Sequence, residues 1–441
     1  MKLNKLRGAL FQGDVGKVLR GMSTLALGTG VARLIGVVSM PIVARIYSPD
    51  DFGVLAVYAA LVAILAPFLT LRYVIAIPLP RQDATAANIV VLSGAIICVT
   101  SSFVGAALWA QGELLLGWLS MDVLSAWRPL IVAGAMIVAL YELAALWATR
   151  QRAYGIMSST KVIQALLAEG TKLALGLLGA KPFGLLIGSV VEQGGGLTRY
   201  LSKFKGDVIS NAGRIKRKHL LFVTRRYVSF PLLRLPSQVL LVFASQAPAL
   251  FSAALFGAQA AGQLGLALMA LAIPSNLIGQ AVGQAFYGEI AKLKRSSEVR
   301  IKDLVFAVQK RLFAISIPAA LAIAFLGEQI FSVAFGSAWS DAGRFAAILA
   351  PFVLLQLTSA PLVQVLNVYN KQGAFLAINV FRTIGLLGIY TVCSKLRLSE
   401  TVFVSLLSGF LFLFYLVITL YILLVVVQAA KPRLINPPDR E

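Results

Sequence analysis

The stretch MSTLALGTGVARLIGVVSMPIVA, running from Met22 to Ala44, is long and apolar enough to cross a lipid bilayer, and it carries Arg33 near its centre. An apolar helix of about 20 residues spans the hydrocarbon core. A guanidinium at that depth costs about 2.5–3.5 kcal/mol on insertion scales, so an intramembrane cation marks a pathway, a partner or a substrate. More charges sit in stretches of the same kind: Arg72, Lys172, Arg234 and Arg382, with Glu142, Glu169 and Glu192. With Arg33, basic residues outnumber acidic ones inside the apolar segments, which suggests an anionic cargo.

The rest of the chain agrees with that first stretch. Its residues are 59% hydrophobic and 13% charged, with a mean hydropathy of +0.84, which leaves too little polar material to wet a soluble globule. The expectation is an all-α polytopic membrane protein of about twelve transmembrane helices. Spans are predicted at 22–44, 52–72, 86–110, 128–149, 158–178 and 180–200, then at 228–254, 262–287, 304–327, 342–366, 373–393 and 401–428, each bounded by Pro, Gly or charged clusters. This reads as an N-terminal six-helix bundle (1–200), a basic cytoplasmic linker (201–227), a C-terminal six-helix bundle (228–428) and a cytoplasmic tail (429–441). The first helix lacks a cleavage-site pattern and is expected to be retained.

Equal halves raise the question of an internal repeat. Tyr47 and Gly53 follow the first span as Phe256 and Gly262 follow the seventh, and Pro41 and Pro67 have counterparts in Pro248 and Pro274. Chance supplies such echoes too among 17 prolines.

Lys and Arg resist translocation and collect in cytoplasmic connections. They crowd residues 1–21, the central connection (Arg199, Lys203, Lys205, Arg214, Lys216, Arg217, Lys218, Arg225 and Arg226) and the loop holding Lys292, Lys294, Arg295, Arg300 and Lys302, so both termini are expected in the cytoplasm. The same clusters account for the net charge of +22 without nucleic acid, because they flank spans on one side, where anionic lipid headgroups attract them. His219, among Lys216, Arg217 and Lys218, reads as a solvated loop residue. Cys98 and Cys393 fall in apolar segments and read as inert buried thiols.

At the first hairpin the residues Arg33, Gly36, Pro41, Ala44-Arg45, Tyr47, Pro49 and Phe52-Gly53, then Arg72-Tyr73 through Ala76-Ile77-Pro78-Leu79-Pro80, form a pattern. It resembles the N-terminal signature of bacterial O-antigen and capsular polysaccharide flippases, in the superfamily that also holds multidrug extruders and lipid II flippases. The resemblance covers Arg33 to about Asn88. It implies two six-helix bundles arranged as a V and a transporter that flips undecaprenyl-pyrophosphate-linked oligosaccharide from the inner to the outer leaflet of the bacterial cytoplasmic membrane. It implies no cofactor, and partners that include the lipid-linked oligosaccharide, membrane lipids, a polysaccharide polymerase and a chain-length regulator.

The cationic spans fit that cargo independently, since a guanidinium fork pairs bidentately with phosphate oxygens. Arg33 and Arg382 lie too near their span centres to reach the interface, and substrate binding competes there with bridging to Glu142 or Glu192. Arg72 and Arg234, nearer their span ends, are substrate ligands or snorkel to headgroups. Lys172 follows Glu169 at a spacing that lets the two pair. Glu142, Glu169 and Glu192, if unpaired, are candidates for ion coupling. Pro49 with Asp50-Asp51 makes a compact turn, and Gly28, Gly30 and Gly36 thin one stretch of helix for a hinge or for close packing.

Two other functions share some features. A cation-coupled drug exporter has the same architecture but calls for an acidic cavity. A membrane-embedded glycan polymerase calls for a large outer loop, and the longest here is 111–127. No metal-binding carboxylate cluster, nucleophile–base arrangement or phosphate-cradling glycine loop is present in the sequence.

Overall fold

A computed structural model of the protein describes residues 13–210, 215–293, 298–369 and 371–430. The basic residues Lys2, Lys5, Arg7, Arg214, Lys294 and Arg295 and nearly all of the expected tail lie outside these, as do the side chains of Lys17, Arg20 and Lys292. The described residues are mostly helical, with no strand among them.

The chain packs as two compact units, one of Met1–Gly265 with Ala334–Ala338, the other of Leu266–Val333 with Trp339–Glu441. In the first lie α1 (Gly13–Ile46), α2 (Pro49–Thr70), α3 (Asp83–Trp118), α4 (Arg128–Arg150), α5 (Tyr154–Leu177), α6 (Phe183–Gly194), α7 (Leu197–Ser210), α8 (Arg217–Arg226) and the first part of α9 (Leu235–Leu293). The second holds the rest of α9 and most of α10 (Glu298–Phe335), with α11 (Ser340–Ser359), α12 (Gln364–Val368), α13 (Gln372–Leu396) and α14 (Glu400–Ala430). By packing, therefore, the helix expected to open the second half groups with the first. Gly257 breaks α9 with a φ of 86°, a left-handed conformation that favours glycine.

Ten helical segments among the described residues are long and apolar enough to cross a membrane. The two further expected spans, 158–178 and 180–200, correspond to α5 and to α6 with α7. Helix α5 is 24 residues long, and what sets it apart is its charges, Lys161, Glu169 and Lys172. The expectation at 180–200 needs correction: α6 has only 12 residues and ends in the run Gly194-Gly195-Gly196, beyond which the chain starts a separate helix. The expected linker 201–227 is also mostly helical, because α7 and α8 are amphipathic and bury Tyr200, Phe204 and Val223 in a core with Val74, Ile89 and Trp147. The 111–127 loop nearly vanishes, since α3 runs to Trp118 and a 3-10 turn, Asp122–Trp127, follows.

Surface composition matches a lipid solvent. Phe103, Trp109 and Phe325 point outward, as does Cys98, which is therefore not the buried thiol expected; Cys393 is buried, and neither is in a disulfide. His219 is exposed, on the first turn of α8.

Polar turn chemistry and small residues set the helix contacts. Ser48 caps α2 reciprocally with Asp51: the Asp51 amide donates to Ser48 Oγ at 3.2 Å and the Ser48 amide to Asp51 Oδ2 at 2.9 Å. Of Gly28, Gly30 and Gly36 in α1, Gly28 meets a neighbour, and a Cβ there would stand 2.0 Å from Ser158 Oγ on α5, while Gly30 and Gly36 face open space. The segments that echo each other in sequence meet in space. A Cβ on Gly53 would stand 1.9 Å from the Ala258 carbonyl oxygen and one on Gly262 1.8 Å from that of Pro49, a reciprocal backbone-to-backbone contact that tolerates no side chain.

Candidate functional site

Five of the candidate residues in the first unit, Arg72, Glu142, Glu169, Lys172 and Glu192, gather in two clusters. The first begins where α2 ends. Leu71 and Arg72 both adopt left-handed backbone angles, φ 42° and 59°, which cost a non-glycine residue about 1–2 kcal/mol each. Burial of Tyr73, Val74 and Ile77 in the next turn holds them there, and Tyr73 Oη donates to the Thr224 carbonyl of α8 at 3.1 Å. The turn aims Arg72 into the bundle, where Nη1 donates to Glu142 Oε1 of α4 at 2.8 Å. Its Nε–H is buried and makes no hydrogen bond among the described residues. Removing one partner of such a pair costs about 1–3 kcal/mol. Glu142→Gln is thus expected to lower the melting temperature of the purified protein, and Arg72→Gln/Glu142→Gln to recover part of the loss; additive losses in the double mutant would show that the pair does not couple.

The second cluster joins α5 to α6. Lys172 Nζ lies 2.8 Å from Glu169 Oε1 and 2.9 Å from Glu192 Oε2, so one ammonium serves two carboxylates. Gly188 makes room for it: a Cβ there would come within 2.3 Å of Lys172 Cγ. Tyr47 Oη, in the turn between α1 and α2, donates to the Lys172 carbonyl at 2.7 Å. Burial and, after it, the nearby Asp51 carboxylate push the Tyr47 hydroxyl up to about 12 against the opposing charge of Lys172, so it remains a protonated donor at neutral pH.

Beside these clusters stands Lys161, a residue to which the sequence reading gave no role although it falls inside the expected span 158–178. Its ammonium lies 4.9 Å from the centre of the Tyr141 ring and makes no ion pair among the described residues. Gln164 and Thr160, on the same helix, are buried, and neither the Gln164 amide nor the Thr160 hydroxyl completes a hydrogen bond among the described residues.

The remaining candidates lie on other elements. Arg33 is partly buried on α1. Arg234 is exposed in the π-helical turn Phe230–Arg234, at the start of the apolar segment Phe230–Phe256 and beside the exposed Leu232 and Leu233. Arg382, in the second unit, is partly buried near the middle of α13 with its guanidinium 5.9 Å from the Phe414 ring centre. Glu142 and Glu192, weighed as partners for Arg33 or Arg382, carry ion pairs to Arg72 and Lys172. The described residues contain no group of three or more His, Cys, Asp or Glu that could hold a metal.

Known proteins share this architecture at low identity. A lipid II flippase, MurJ, in an inward closed conformation superposes with a TM-score of 0.67 at 11% identity, over 92% of this chain and 89% of that one. An inward-facing multidrug resistance MATE family transporter of the MOP superfamily gives 0.62 at 15% identity, over 93% and 96%. An outward-facing MATE family transporter gives 0.55 at 14%, over 96% and 98%. A search of curated protein sequences returns no match. The fold is thus the one these multi-span membrane proteins share. A family model described as "Polysaccharide biosynthesis protein" matches residues 42–344, well over half of the chain, and the chain belongs to that polysaccharide biosynthesis family.

Proposed function

We propose that this protein is a flippase that carries an undecaprenyl-pyrophosphate-linked oligosaccharide, a repeat unit of O-antigen, capsule or exopolysaccharide, across the bacterial cytoplasmic membrane by alternating access. The observation that carries the reading is a polysaccharide biosynthesis chain with a transporter fold whose helices hold Arg33, Lys161, Lys172 and Arg382, with Arg72 in the turn that follows α2. A diphosphate entering a bilayer loses its water, and guanidinium or ammonium groups restore the lost hydrogen bonds with opposite charge. The buried Arg72 Nε–H, which no described residue accepts, is a donor in reserve for such a ligand. The similarity to a lipid II flippase supports a lipid-linked cargo. On this reading the end bearing α7, α8 and Arg150 faces the cytoplasm, where basic residues are retained, and Arg72 meets the head group first, with Arg33 and Arg382 deeper.

A second reading, a cation-coupled exporter, draws on the Lys172 cluster, whose two carboxylates exceed its one ammonium. Glu142, Glu169 and Glu192, expected to couple ions if unpaired, are all paired, and in the flippase reading only the excess carboxylate of the Lys172 cluster is left for that role.

Deleting the gene and restoring it with variants at equal protein level separates these readings. Wild type is expected to restore surface polysaccharide, and Arg33→Ala or Arg382→Ala to restore about tenfold less or below, the loss of one charge-assisted hydrogen bond to phosphate. Full restoration by either alanine variant removes that residue from the cargo path. Unchanged polysaccharide in the deletion strain, with heightened sensitivity to cationic drugs, selects the exporter.

A further inference from the structure

Helix α5 carries three polar groups that no described residue satisfies. Lys161 is partly exposed, with its ammonium over the Tyr141 ring at 4.9 Å. One turn on, Gln164 is 2% exposed with both amide atoms idle, and Thr160 is 1% exposed with an idle hydroxyl. The Tyr141 and Tyr200 rings lie tilted beside them, centroids 5.5 Å apart, with the Tyr141 hydroxyl near Gln164 and the Tyr200 hydroxyl near Thr160, each too far or too poorly aligned to complete a hydrogen bond. Native proteins rarely leave buried donors and acceptors unmet, so a concentration of them on one helix points to a group from outside the chain.

The charge on Lys161 says which kind. Arg72 and Lys172, the other intramembrane cations of this unit with partners described above, lie at 2.8–2.9 Å from carboxylates. Glu192 is close enough to Lys161 to act on it electrostatically, but its carboxylate is held by Lys172 at 2.9 Å, and Lys161 stands beyond ion-pair distance. A cation–π contact offsets only part of the cost of withdrawing an ammonium from water. What suits three free N–H donors, an idle amide and an idle hydroxyl is an oxyanion that accepts several hydrogen bonds at once. On the flippase reading Lys161 also lies at the loading end. It faces Tyr141, which precedes Glu142 in α4, so it shares a level with the Arg72–Glu142 pair, near the basic helices α7 and α8.

We infer that Lys161, backed by Gln164 and Thr160, binds a phosphate oxyanion of the lipid-linked cargo, an inference that rests on the flippase reading above. The test uses full-length purified protein in detergent and native mass spectrometry with farnesyl diphosphate, its uncharged counterpart farnesol, and inorganic pyrophosphate. Wild type is expected to prefer farnesyl diphosphate over farnesol. Lys161→Met should weaken the diphosphate about tenfold or more and leave farnesol unchanged, whereas Lys161→Arg should stay within about threefold of wild type. Gln164→Ala should weaken the diphosphate by a smaller factor. Should the methionine protein not accumulate, Lys161→Gln carries the same expectation. Binding of pyrophosphate alone that is lost in the same variants supports an oxyanion site that needs no lipid tail. A wild type that prefers diphosphate while Lys161→Met binds it equally well overturns this inference and leaves the flippase reading standing. So does a variant that loses farnesol and diphosphate in proportion, since that marks a structural role. A wild type with no preference for the diphosphate sinks both.

Discussion

Replacing Gly262 by valine is expected to remove most of the folded protein from the membrane, with a loss of about 3 kcal/mol or more. The Cβ position of Gly262 is 1.8 Å from the Pro49 carbonyl oxygen, and the neighbouring atoms are backbone, Pro49 C and Gly53 N, both at 2.8 Å. A flexible side chain could swing away from an intruding methyl group. A capped helix terminus cannot, because Pro49 and Asp51 are fixed by the reciprocal Ser48 cap. Gly53→Val should fail in the same way, since its Cβ would enter the Ala258 carbonyl. Gly30→Ala is the control. It sits in a helix with nothing within 4 Å of the added carbon, and alanine favours helix over glycine by about 1 kcal/mol, so stability should hold or rise slightly. Thermal unfolding in detergent, with membrane abundance measured alongside, checks all three. A Gly262→Val protein as stable as wild type would mean that the two helices do not touch at this point.

Lys172→Met should be nearly as damaging, at about 3–5 kcal/mol, the usual cost of stranding a buried charge by deleting its partner. Burial divides the damage unevenly. Glu169 is 11% exposed, as is Lys172, while Glu192 is 55% exposed and can turn to water or headgroups. The stranded group that matters is therefore Glu169. Adding Glu169→Gln to Lys172→Met should recover most of the stability, and adding Glu192→Gln should recover little. Glu192→Gln alone should cost under about 1 kcal/mol, in the range of exposed ion pairs. The same melting measurements decide it, and rescue by Glu192→Gln rather than Glu169→Gln would reverse the assignment. The variants also bear on transport, because a cluster that tolerates neutralisation in stability but loses flipping has a role in coupling.

The contrast between Gly262 and Gly30 shows what a sequence leaves open. Both are glycines in apolar helices, and only the position of the Pro49 carbonyl distinguishes them. Lys161 makes the same point from the other side. Its position inside an expected span was visible in the sequence, yet it differs from Lys172 only in what surrounds it: Lys172 meets two glutamates, one of them contributed by α6, and Lys161 meets the face of Tyr141 from α4. Spacing along one helix suggested the Lys172–Glu169 pair, because residues three apart share a face. The Arg72–Glu142 pair links residues 70 positions apart through a left-handed turn that no propensity favours, and packing of Tyr73, Val74 and Ile77 imposes it.

Sequence by itself determined that this is an all-helical membrane protein, where most of its spans run and which charges lie within them. These follow from hydropathy summed over contiguous residues, a local quantity that lipid reads directly. The shortness of α6, which spans only Phe183–Gly194, the folding of the basic linker into packed helices and the pairing of Arg72 with Glu142 and of Lys172 with Glu192 were settled only by tertiary structure. They depend on which side chain another helix brings within about 3 Å, and electrostatic and hydrogen-bond energies change steeply over that distance.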